Sequence, residues 1–346
     1  MTEGVSGRRF KRPATLRDVA SRAEVHVSTA SRALNDGSTR RLAPETIARV
    51  KVAATELGYV PDLIATGLRS GRTMTVGVVT ADLENPQNAP LIRGLSSQLE
   101  QDGFVALVSE TVESRDRCER ILRHLVQRRT DAIVVLAARL GYAELLEVVV
   151  GDTVPIVLGV RDLPSSGLAA AVHDDRGGGE IAARHLLDLG HRRVAQLCGP
   201  TDVDPFVRRA DGFARAVLNG GGTDLSVVKE AWKVSVDEGE RLTRATLENG
   251  DPTAIFAPSD LMAIGAMRAL RDSGLRCPED VSVIGYNDVA IGEHLTPALS
   301  TIRLPSVDVG SAAATLAIEL IEGGSPRRVE LPAELVARSS TAAPPA

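Results

Sequence analysis

From Met74 onward, short apolar strands alternate with amphipathic helices, and this alternation constrains the fold more than any other feature of the sequence. It is typical of βαβ units and predicts parallel sheets covered by helices. Strands are predicted in two sets, at 74–80, 104–109, 131–137, 154–159 and 169–173, then at 192–199, 227–234, 253–258 and 281–286. The repeated rhythm predicts two doubly wound lobes in series. Ligands of such sheets bind at the carboxyl ends of strands, so two facing lobes predict a cleft.

The helices between these strands are the second element of the pattern. They are predicted at 89–101, 115–128, 179–189, 208–219, 238–249, 260–272 and 307–322. The triple glycine at 177–179 lacks the context of a phosphate-binding loop, and flexible entry into a helix explains it.

The segment from Ala14 to Ser38 has a different texture, with two short helical patterns separated by a gap that fits only a tight corner. Thr15 can cap the first helix with its hydroxyl. The first helix presents one apolar stripe, which residues of the second can pack against. The stripe is Leu16, Val19, Ala20 and Ala23, and the residues facing it are Ala30, Ala33 and Leu34. This pattern predicts a helix-turn-helix, with an ordinary helical hairpin as the alternative.

The outward face of the second helix is small and polar and carries a single basic residue. Its members are Val27, Ser28, Thr29, Ser31, Arg32 and Asn35. Such a face suits the major groove of DNA. Charge supports this interpretation, because residues 1–72 hold 13 basic and 7 acidic residues, a net charge of +6, whereas the rest of the chain carries −11. A basic segment on an acidic body is typical of nucleic-acid binding.

Two further segments complete the N-terminal region. A third helix is predicted from Pro44 to Leu57, with Pro44 at its first position, and it should close a small three-helix core. A short, weak helix is predicted to begin at Pro61. Because an isolated helix this short does not persist in water, the segment is either a linker or folds on binding.

Composition excludes several classes of protein. The sequence contains neither an apolar run of about 18 residues nor a signal segment, so we expect a cytoplasmic protein. Cys118, Cys198 and Cys277 are isolated, which favours reduced packing residues. Dinucleotide, P-loop and metal-ligand spacings are missing from the sequence, so neither an enzyme nor a metal or cofactor is expected.

Several motifs occur here in the order in which they occur in the LacI/GalR family of bacterial transcription regulators. They are TLRDVASRA with STASRALN, ELGYVPDLIATGL, TVGVVTADLENP, EIAARHLLDLGHRRVAQLCGP, RRADGF and FAPSDLMAIGAMRALRDSGLRCPEDVSVIGYND followed by TPALSTI. The chain resembles that family from Ala14 to about Ser340. The resemblance implies a homodimer that binds a palindromic operator, with a body similar to a periplasmic binding protein whose cleft takes a small effector.

The resemblance also assigns DNA contacts. It implies that Val27 and Ser28 set specificity, that Leu68 wedges into the minor groove and that Ala65 packs against the partner subunit. The DNA-binding residues that we expect are Thr15, Leu16, Val27, Ser28, Thr29, Ser31, Arg32, Asn35, Ala65 and Leu68. The head departs from the family at several positions. Glu24 and His26 stand where Gly and Ser are usual, Ala43 replaces a capping Ser, and Asp62 and Thr66 replace Asn and Arg in the hinge.

Effector contacts are implied in the same way, by positions just past strands or at helix starts. The expected residues are Asp82, Gln87, Asn88, Arg209, Ser259, Asp260 and Asn287, and Trp232 is added to them as a residue that can supply a stacking surface. For Arg209 an interlobe salt bridge is the alternative, and for Asp260 capping of the following helix is favoured. The aromatic residues and carboxylates that sugar-binding relatives use are missing at Gln87, Asn88, Val160 and Asn287. The effector is therefore left open as a sugar or another polar metabolite.

These observations predict an α/β protein with a helix-turn-helix head. The expected parts are a disordered basic tail (1–13), the helix-turn-helix domain (14–60), a hinge helix (61–72), an effector-binding and dimerisation domain (73–340) and a tail (341–346). Its first lobe should comprise about 73–173 plus 303–331, and its second about 174–300 plus 332–340. The expected function is transcriptional regulation, with repression favoured. The alternatives are a periplasmic-type binding protein without a DNA role and a doubly wound enzyme.

Overall fold

The computed structural model describes residue 12 and residues 14–34, 42–60, 72–226 and 231–345. The chain divides into two compact units, which we call the head (Met1–Thr73) and the body (Met74–Ala346). Three of the predicted DNA-contacting residues, Asn35, Ala65 and Leu68, lie outside the described residues, as do positions 61–71 of the predicted hinge.

The head consists of three helices, α1 (Leu16–Arg22), α2 (Val27–Leu34) and α3 (Pro44–Glu56), as the sequence predicted. Small apolar side chains from all three form its core: Val19, Ala20, Ala23, Ala30, Ala33, Val50, Ala53 and Ala54. Because these side chains are short, the helices pack closely around the corner between α1 and α2. Arg49 joins α3 to the end of α1 by donating from Nε to the carbonyl oxygen of Ala23 at 2.9 Å.

The first lobe of the body is a six-stranded parallel sheet with the order β11-β5-β4-β3-β1-β2. Its strands are β1 (Thr75–Thr80), β2 (Val105–Glu110), β3 (Ala132–Val135), β4 (Ile156–Gly159), β5 (Ala169–His173) and β11 (Arg328–Leu331). Side chains alternate across the sheet, so Val76 and Val78 join one core cluster while Val79 joins the other. Helices α4 (Asn88–Gln101) and α11 (Ser306–Ile321) cover one face, and α5 (Arg115–Gln127) and α6 (Ala143–Val149) the other.

The second lobe is a four-stranded parallel sheet with the order β7-β6-β8-β9. Its strands are β6 (Arg193–Gln196), β7 (Thr223–Asp224), β8 (Ala254–Phe256) and β9 (Ser282–Ile284). Helices α7 (Asp175–Asp188) and α8 (Asp204–Asn219) pack on one face, and α9 (Val236–Asn249) and α10 (Asp260–Asp272) on the other. A short 3₁₀ helix spans Ala290–His294.

The chain passes between the two sheets three times. It leaves the six-stranded sheet after β5, returns towards it after β10 (Thr301–Arg303) and leaves it again after β11, before β12 (Glu334–Val336). The strands β10 and β12 pair antiparallel as a separate ribbon, which was not among the predicted elements. Among the described helices, none is long and apolar enough to cross a membrane.

One predicted strand was wrong. The apolar segment 227–234 was predicted to be a strand of the second lobe, but the described part of that segment, 231–234, is irregular. The edge strand is instead Thr223–Asp224, which pairs with Arg193 and Val194. Ala231 explains the apolar signal, because it is fully buried and its N–H donates to the carbonyl oxygen of Cys198 in a loop rather than to a strand.

The triple glycine at 177–179 serves close packing rather than flexible entry into a helix. A Cβ atom on Gly178 would lie 2.0 Å from the hydroxyl oxygen of Tyr286, and one on Gly179 would lie 2.2 Å from the carbonyl oxygen of Arg209. Both distances are far below van der Waals contact. Only glycine therefore lets α7 approach α8 and the end of β9 so closely.

Candidate functional site

The start of α1 in the head has the local structure that the sequence predicted. Thr15 caps the helix, since its side chain accepts from the backbone N–H of Asp18 while the Asp18 carboxylate accepts from the N–H of Thr15. This reciprocal pair is a capping box, which satisfies two otherwise unpaired donors. Leu16 follows as a half-buried residue that packs against the head core.

The corner between α1 and α2 is a Schellman motif built on an unusual residue. Glu24 has a φ of 52°, in the left-handed region, and its N–H donates to the carbonyl oxygen of Ser21. The N–H of Val25 donates to the carbonyl oxygen of Ala20. Glycine is the residue that helix ends normally place at this conformation. The turn therefore forms the Schellman motif with a glutamate at the position that glycine fits best.

His26 provides the cap of α2. Its carbonyl oxygen accepts from the N–H groups of Thr29 and Ala30, and its Nδ1 accepts from the N–H of Ser28 at 3.3 Å. The same Nδ1 lies 2.8 Å from the hydroxyl oxygen of Ser28. The imidazole thus takes the position of a capping hydroxyl, which the sequence allowed only for a neutral and suitably turned ring.

The outward face of α2 is accessible in the head. Ser28 and Arg32 are exposed, and Val27, Thr29 and Ser31 are half-buried. The Nε of Arg32 donates to the carbonyl oxygen of Ser28 one turn earlier, at 3.2 Å, which lays the side chain along the helix. The described residues of this face therefore form an accessible surface, and they are the residues for which DNA contacts are predicted from the sequence.

The body contains a cavity of about 650 Å³ between the two lobes. Its walls come from the segments that follow β1, β2, β3 and β4 in the first lobe and β6, β7 and β9 in the second. These are carboxyl ends of parallel strands, where ligands of such sheets bind. Six of the eight expected effector residues line it: Asp82, Gln87, Asn88, Arg209, Trp232 and Asn287.

Arg209 is the most firmly held of these residues. Its guanidinium donates from Nε to Asp175 at 2.8 Å and from Nη1 to the carbonyl oxygen of Pro258 at 2.6 Å. It also lies 3.9 Å from the ring centre of Tyr286 and 5.1 Å from that of Phe206. Because Asp175 and Arg209 stand on the adjacent helices α7 and α8, this ion pair lies within the second lobe rather than between lobes. The packing fixes the plane in which the guanidinium meets the cavity.

Asn287 lies three residues past the end of the apolar strand β9 and carries an unsatisfied oxygen. The residue is 9% exposed, and its Oδ1 is buried without a hydrogen-bond partner. Its φ of 114° is a strained conformation for a residue with a side chain. The next residue, Asp288, is tied to Arg303 and Arg338 at 2.7 Å each, which anchors the loop. A strained, buried and unpaired amide beside a cavity is a feature of ligand sites.

Ser259 and Asp260 do not line the cavity. Ser259 is the N-cap of α10, because its hydroxyl accepts from the N–H of Met262 at 3.2 Å. Asp260 is fully buried and accepts from the hydroxyl of Thr301 at 2.6 Å and the N–H of Val289 at 2.7 Å. Burial raises its pKa to about 6. The cap expected of Asp260 is therefore made by its neighbour, and Asp260 joins α10 to the loop after β9.

Other lining residues had not been singled out from the sequence. Phe206 stands in the first turn of α8, Lys233 lies 4.5 Å from the ring centre of Trp232, and Glu113 and Arg161 form an ion pair at 2.6 Å. Glu113 and Arg161 follow β2 and β4, so the rule that ligands gather at strand ends could have found them. Among the described residues, no cluster of histidine, cysteine or carboxylate side chains could hold a metal ion.

Comparison with known proteins identifies both units. A family model described as bacterial regulatory proteins, lacI family, matches residues 15–62, and one described as a periplasmic binding protein-like domain matches residues 183–341. The HTH-type transcriptional regulator CelR of Thermobifida fusca is 34% identical over 342 residues, which cover 96% of this chain and 99% of that protein. The chain belongs to the lacI family.

Solved structures agree with this membership. A lac repressor dimer bound to operator and the anti-inducer ONPF superposes with a TM-score of 0.87 at 26% identity, over 96% of this chain and all of that chain. A complex of the transcriptional regulator CelR with cellobiose gives a TM-score of 0.71 at 32% identity, over 95% of this chain and all of that chain. The lacI-family protein described here is thus a DNA-binding transcriptional regulator controlled by an effector, and its family is not one of enzymes.

Proposed function

We propose that this lacI-family regulator is a homodimeric repressor that reads a palindromic operator through α2 and is controlled by a polyhydroxylated small molecule, a sugar, in the interlobe cavity. The observation that carries the proposal is the cavity wall formed by Arg209 and Asn287. The guanidinium of Arg209 is a hydrogen-bond donor held in a fixed position, and the Oδ1 of Asn287 is an acceptor without a partner. Vicinal hydroxyl groups of a sugar both donate and accept hydrogen bonds, so they match the pair.

The remaining walls fit the same class of ligand. Phe206 and Trp232 offer aromatic surface, which suits the apolar face of a sugar ring. Asp82 and Glu110 add carboxylates that can accept from hydroxyl groups. A volume of about 650 Å³ lies within the range of small-molecule sites. Cellobiose and ribose, which are both sugars, are the ligands named for two of the related solved structures.

Operator reading is proposed to use the described face of α2. Arg32 can donate two hydrogen bonds to a guanine edge, worth roughly 1–3 kcal/mol of discrimination, and the hydroxyls of Ser28, Thr29 and Ser31 can hold phosphates. Val27 offers only methyl groups, which match a thymine methyl and make no hydrogen bond. The proposed wedge of Leu68 and the packing of Ala65 against the partner subunit stay predictions, since both residues lie outside the described ones.

Dimerisation is supported by the edge strand β2. Val105 is 63% exposed, and Leu107 and Val108 are also exposed on this last strand of the six-stranded sheet. An apolar edge strand is a liability for an isolated monomer unless another surface covers it. A second copy of this chain is the cover that we propose, and one related solved structure is described as a lac repressor dimer.

A ligand titration tests the effector class. Thermal unfolding of the wild type is measured with cellobiose, ribose, a nucleoside and an organic acid, because a ligand of the folded body raises the melting temperature with its occupancy. We expect a sugar to raise it, and Arg209→Lys to reduce that shift because an ammonium cannot reproduce the planar fork. Arg193→Lys, at an exposed position on β6, is the matched control and should keep the shift. Stabilisation by the organic acid alone would contradict a sugar effector.

A gel-shift series tests the DNA part independently. The wild type should bind a palindromic operator in preference to random DNA, and the affinity should fall as the salt concentration rises. Arg32→Ala should lose most of that preference. Equal binding of operator and random DNA would refute the proposed operator reading.

A further inference from the structure

Two charged loops meet at the rim of the cavity, one from each lobe. Arg139 follows β3 of the first lobe, and Asp202 lies between β6 and α8 of the second. The Nη1 of Arg139 donates to both carboxylate oxygens of Asp202, at 2.7 and 2.6 Å. In addition, the N–H of Leu140 donates to the carbonyl oxygen of Asp202 at 2.8 Å. A side-chain bond and a backbone bond therefore join the lobes at the same place.

Arg139 also contacts Glu113, a residue that lines the cavity. Glu113 accepts from the Nε of Arg139 at 3.1 Å and from Arg161 through two bonds, at 3.0 and 2.6 Å. Burial would raise the pKa of Glu113, but Arg161 and Arg139 outweigh it and hold the pKa below its usual range. Glu113 is thus an anion that faces the cavity on one side and Arg139 on the other.

The backbone at Glu113 is strained. Val112 and Glu113 have φ values of 51° and 56°, so two consecutive residues with side chains adopt the left-handed conformation. Such positions are strained and persist where the surrounding structure requires them. The neighbouring Ser114 caps α5, since its hydroxyl accepts from the N–H of Arg117 at 3.3 Å. The helix start therefore fixes the turn, and the turn presents Glu113.

We propose that Glu113, Arg139 and Asp202 form an interlobe clasp, and that Glu113 couples a ligand in the cavity to it. The second part rests on the effector site proposed above. A ligand hydroxyl that donates to Glu113 stabilises the position of Glu113 in which it binds Arg139. Arg139 is then held where it donates to Asp202. Because the cavity takes walls from both lobes, a ligand that touches both binds the clasped state more tightly. Arg139 and Asp202 do not line the cavity, so they act as positioning residues.

The amide of Leu140 reports the clasp directly. Hydrogen exchange at this amide requires its bond to Asp202 to open, so its rate in the ligand-free protein measures how often the lobes part. We expect Asp202→Asn and Arg139→Gln each to speed exchange about three- to tenfold. Each variant loses a charge-assisted hydrogen bond, and the effect is moderate because solvent screens this exposed ion pair. Asp251→Asn is the matched control, since its ion pair with Arg193, at 2.8 Å, lies within the second lobe. Unchanged exchange in both clasp variants would overturn the clasp.

The coupling is tested with cellobiose and ribose as probes. In the wild type the bound sugar should slow exchange at Leu140, and Asp202→Asn should weaken sugar binding about three- to tenfold without changing a residue of the cavity wall. In Glu113→Gln the sugar-dependent slowing should disappear. Slowing that persists in Glu113→Gln overturns the coupling. If the wild type binds neither sugar, the coupling falls together with the proposed effector class, while the ligand-free exchange rates still decide the clasp.

Discussion

Among the described residues of the head, Glu24 has a left-handed backbone conformation that residues with side chains disfavour. A residue with a side chain costs roughly 1–2 kcal/mol in the left-handed region, whereas glycine pays mainly through the entropy of the unfolded chain. We expect Glu24→Gly to stabilise the head by about 0.5 kcal/mol, and Glu24→Val to destabilise it by about 1 kcal/mol, because a branched side chain fits this conformation worst. Amide exchange of α1 and α2 in the full chain measures both. Equal stability of the three proteins would show that the Schellman turn carries no strain at Glu24.

Asp204, at the start of α8, is a buried carboxyl group whose contribution to the free energy of unfolding depends on pH. Its Oδ2 is buried without a hydrogen bond and lies 3.9 Å from Arg208 Nη1, too far for one. Burial raises its pKa to about 6. The folded state therefore binds this proton more tightly than the unfolded state does. The stabilisation from that proton is complete below the ordinary pKa of 3.8 and is lost as the pH rises through about 6.

A neutral isostere tests this linkage. An asparagine side chain cannot ionise, so we expect Asp204→Asn to be more stable than the wild type, with an advantage that grows by about 1 kcal/mol between pH 5 and pH 8. Urea unfolding of both proteins at the two pH values gives the difference. Asp251→Asn, at a carboxyl group that is 90% exposed, serves as the control and should show no such growth. An advantage that is independent of pH would mean that Asp204 stays ionised throughout.

At the scale of elements, the exposed edge of the first lobe makes a prediction about assembly. Val105→Lys places a charge on β2, where a second copy would cover it, so we expect the dimer to dissociate at least about tenfold more readily. Val148→Lys is the matched control, because Val148 is an equally apolar residue on α6 that is 71% exposed. Sedimentation velocity over a concentration series separates monomer from dimer. Dimers that survive Val105→Lys unchanged would place the interface elsewhere.

The sequence could predict those elements whose signals are local. The apolar strands of the first lobe, the capping hydroxyl of Thr15 and the helix from Pro44 are determined within a few residues of chain. The strand predicted at 227–234 was wrong because an apolar segment of sequence cannot distinguish a strand from a loop that buries a residue, here Ala231. Likewise, the contact between Arg139 and Asp202 joins positions 63 residues apart on different lobes. Only the three-dimensional structure brings such pairs together.

At the scale of the whole molecule, the proposed dimer sets the geometry of the operator. Two heads related by a two-fold axis should read half-sites about one helical turn apart, roughly 34–36 Å. An insertion of five base pairs between the half-sites turns one of them to the opposite face of the duplex. Both heads then cannot bind at once, and the benefit of two linked contacts is lost. We therefore expect the affinity to fall about 100-fold or more, towards that of a single half-site.

The monomeric variant separates this geometric effect from changes in the heads themselves. Val105→Lys leaves α2 intact, so it should bind one half-site with the affinity of a wild-type head and should not respond to the five-base-pair insertion. Fluorescence anisotropy with the parent and the lengthened operators measures all four combinations at one salt concentration, because phosphate contacts make every affinity salt-dependent. If the wild type tolerates the insertion as well as Val105→Lys does, the two heads of a dimer do not bind both half-sites with a fixed spacing. Each half-site of the palindrome is then bound independently.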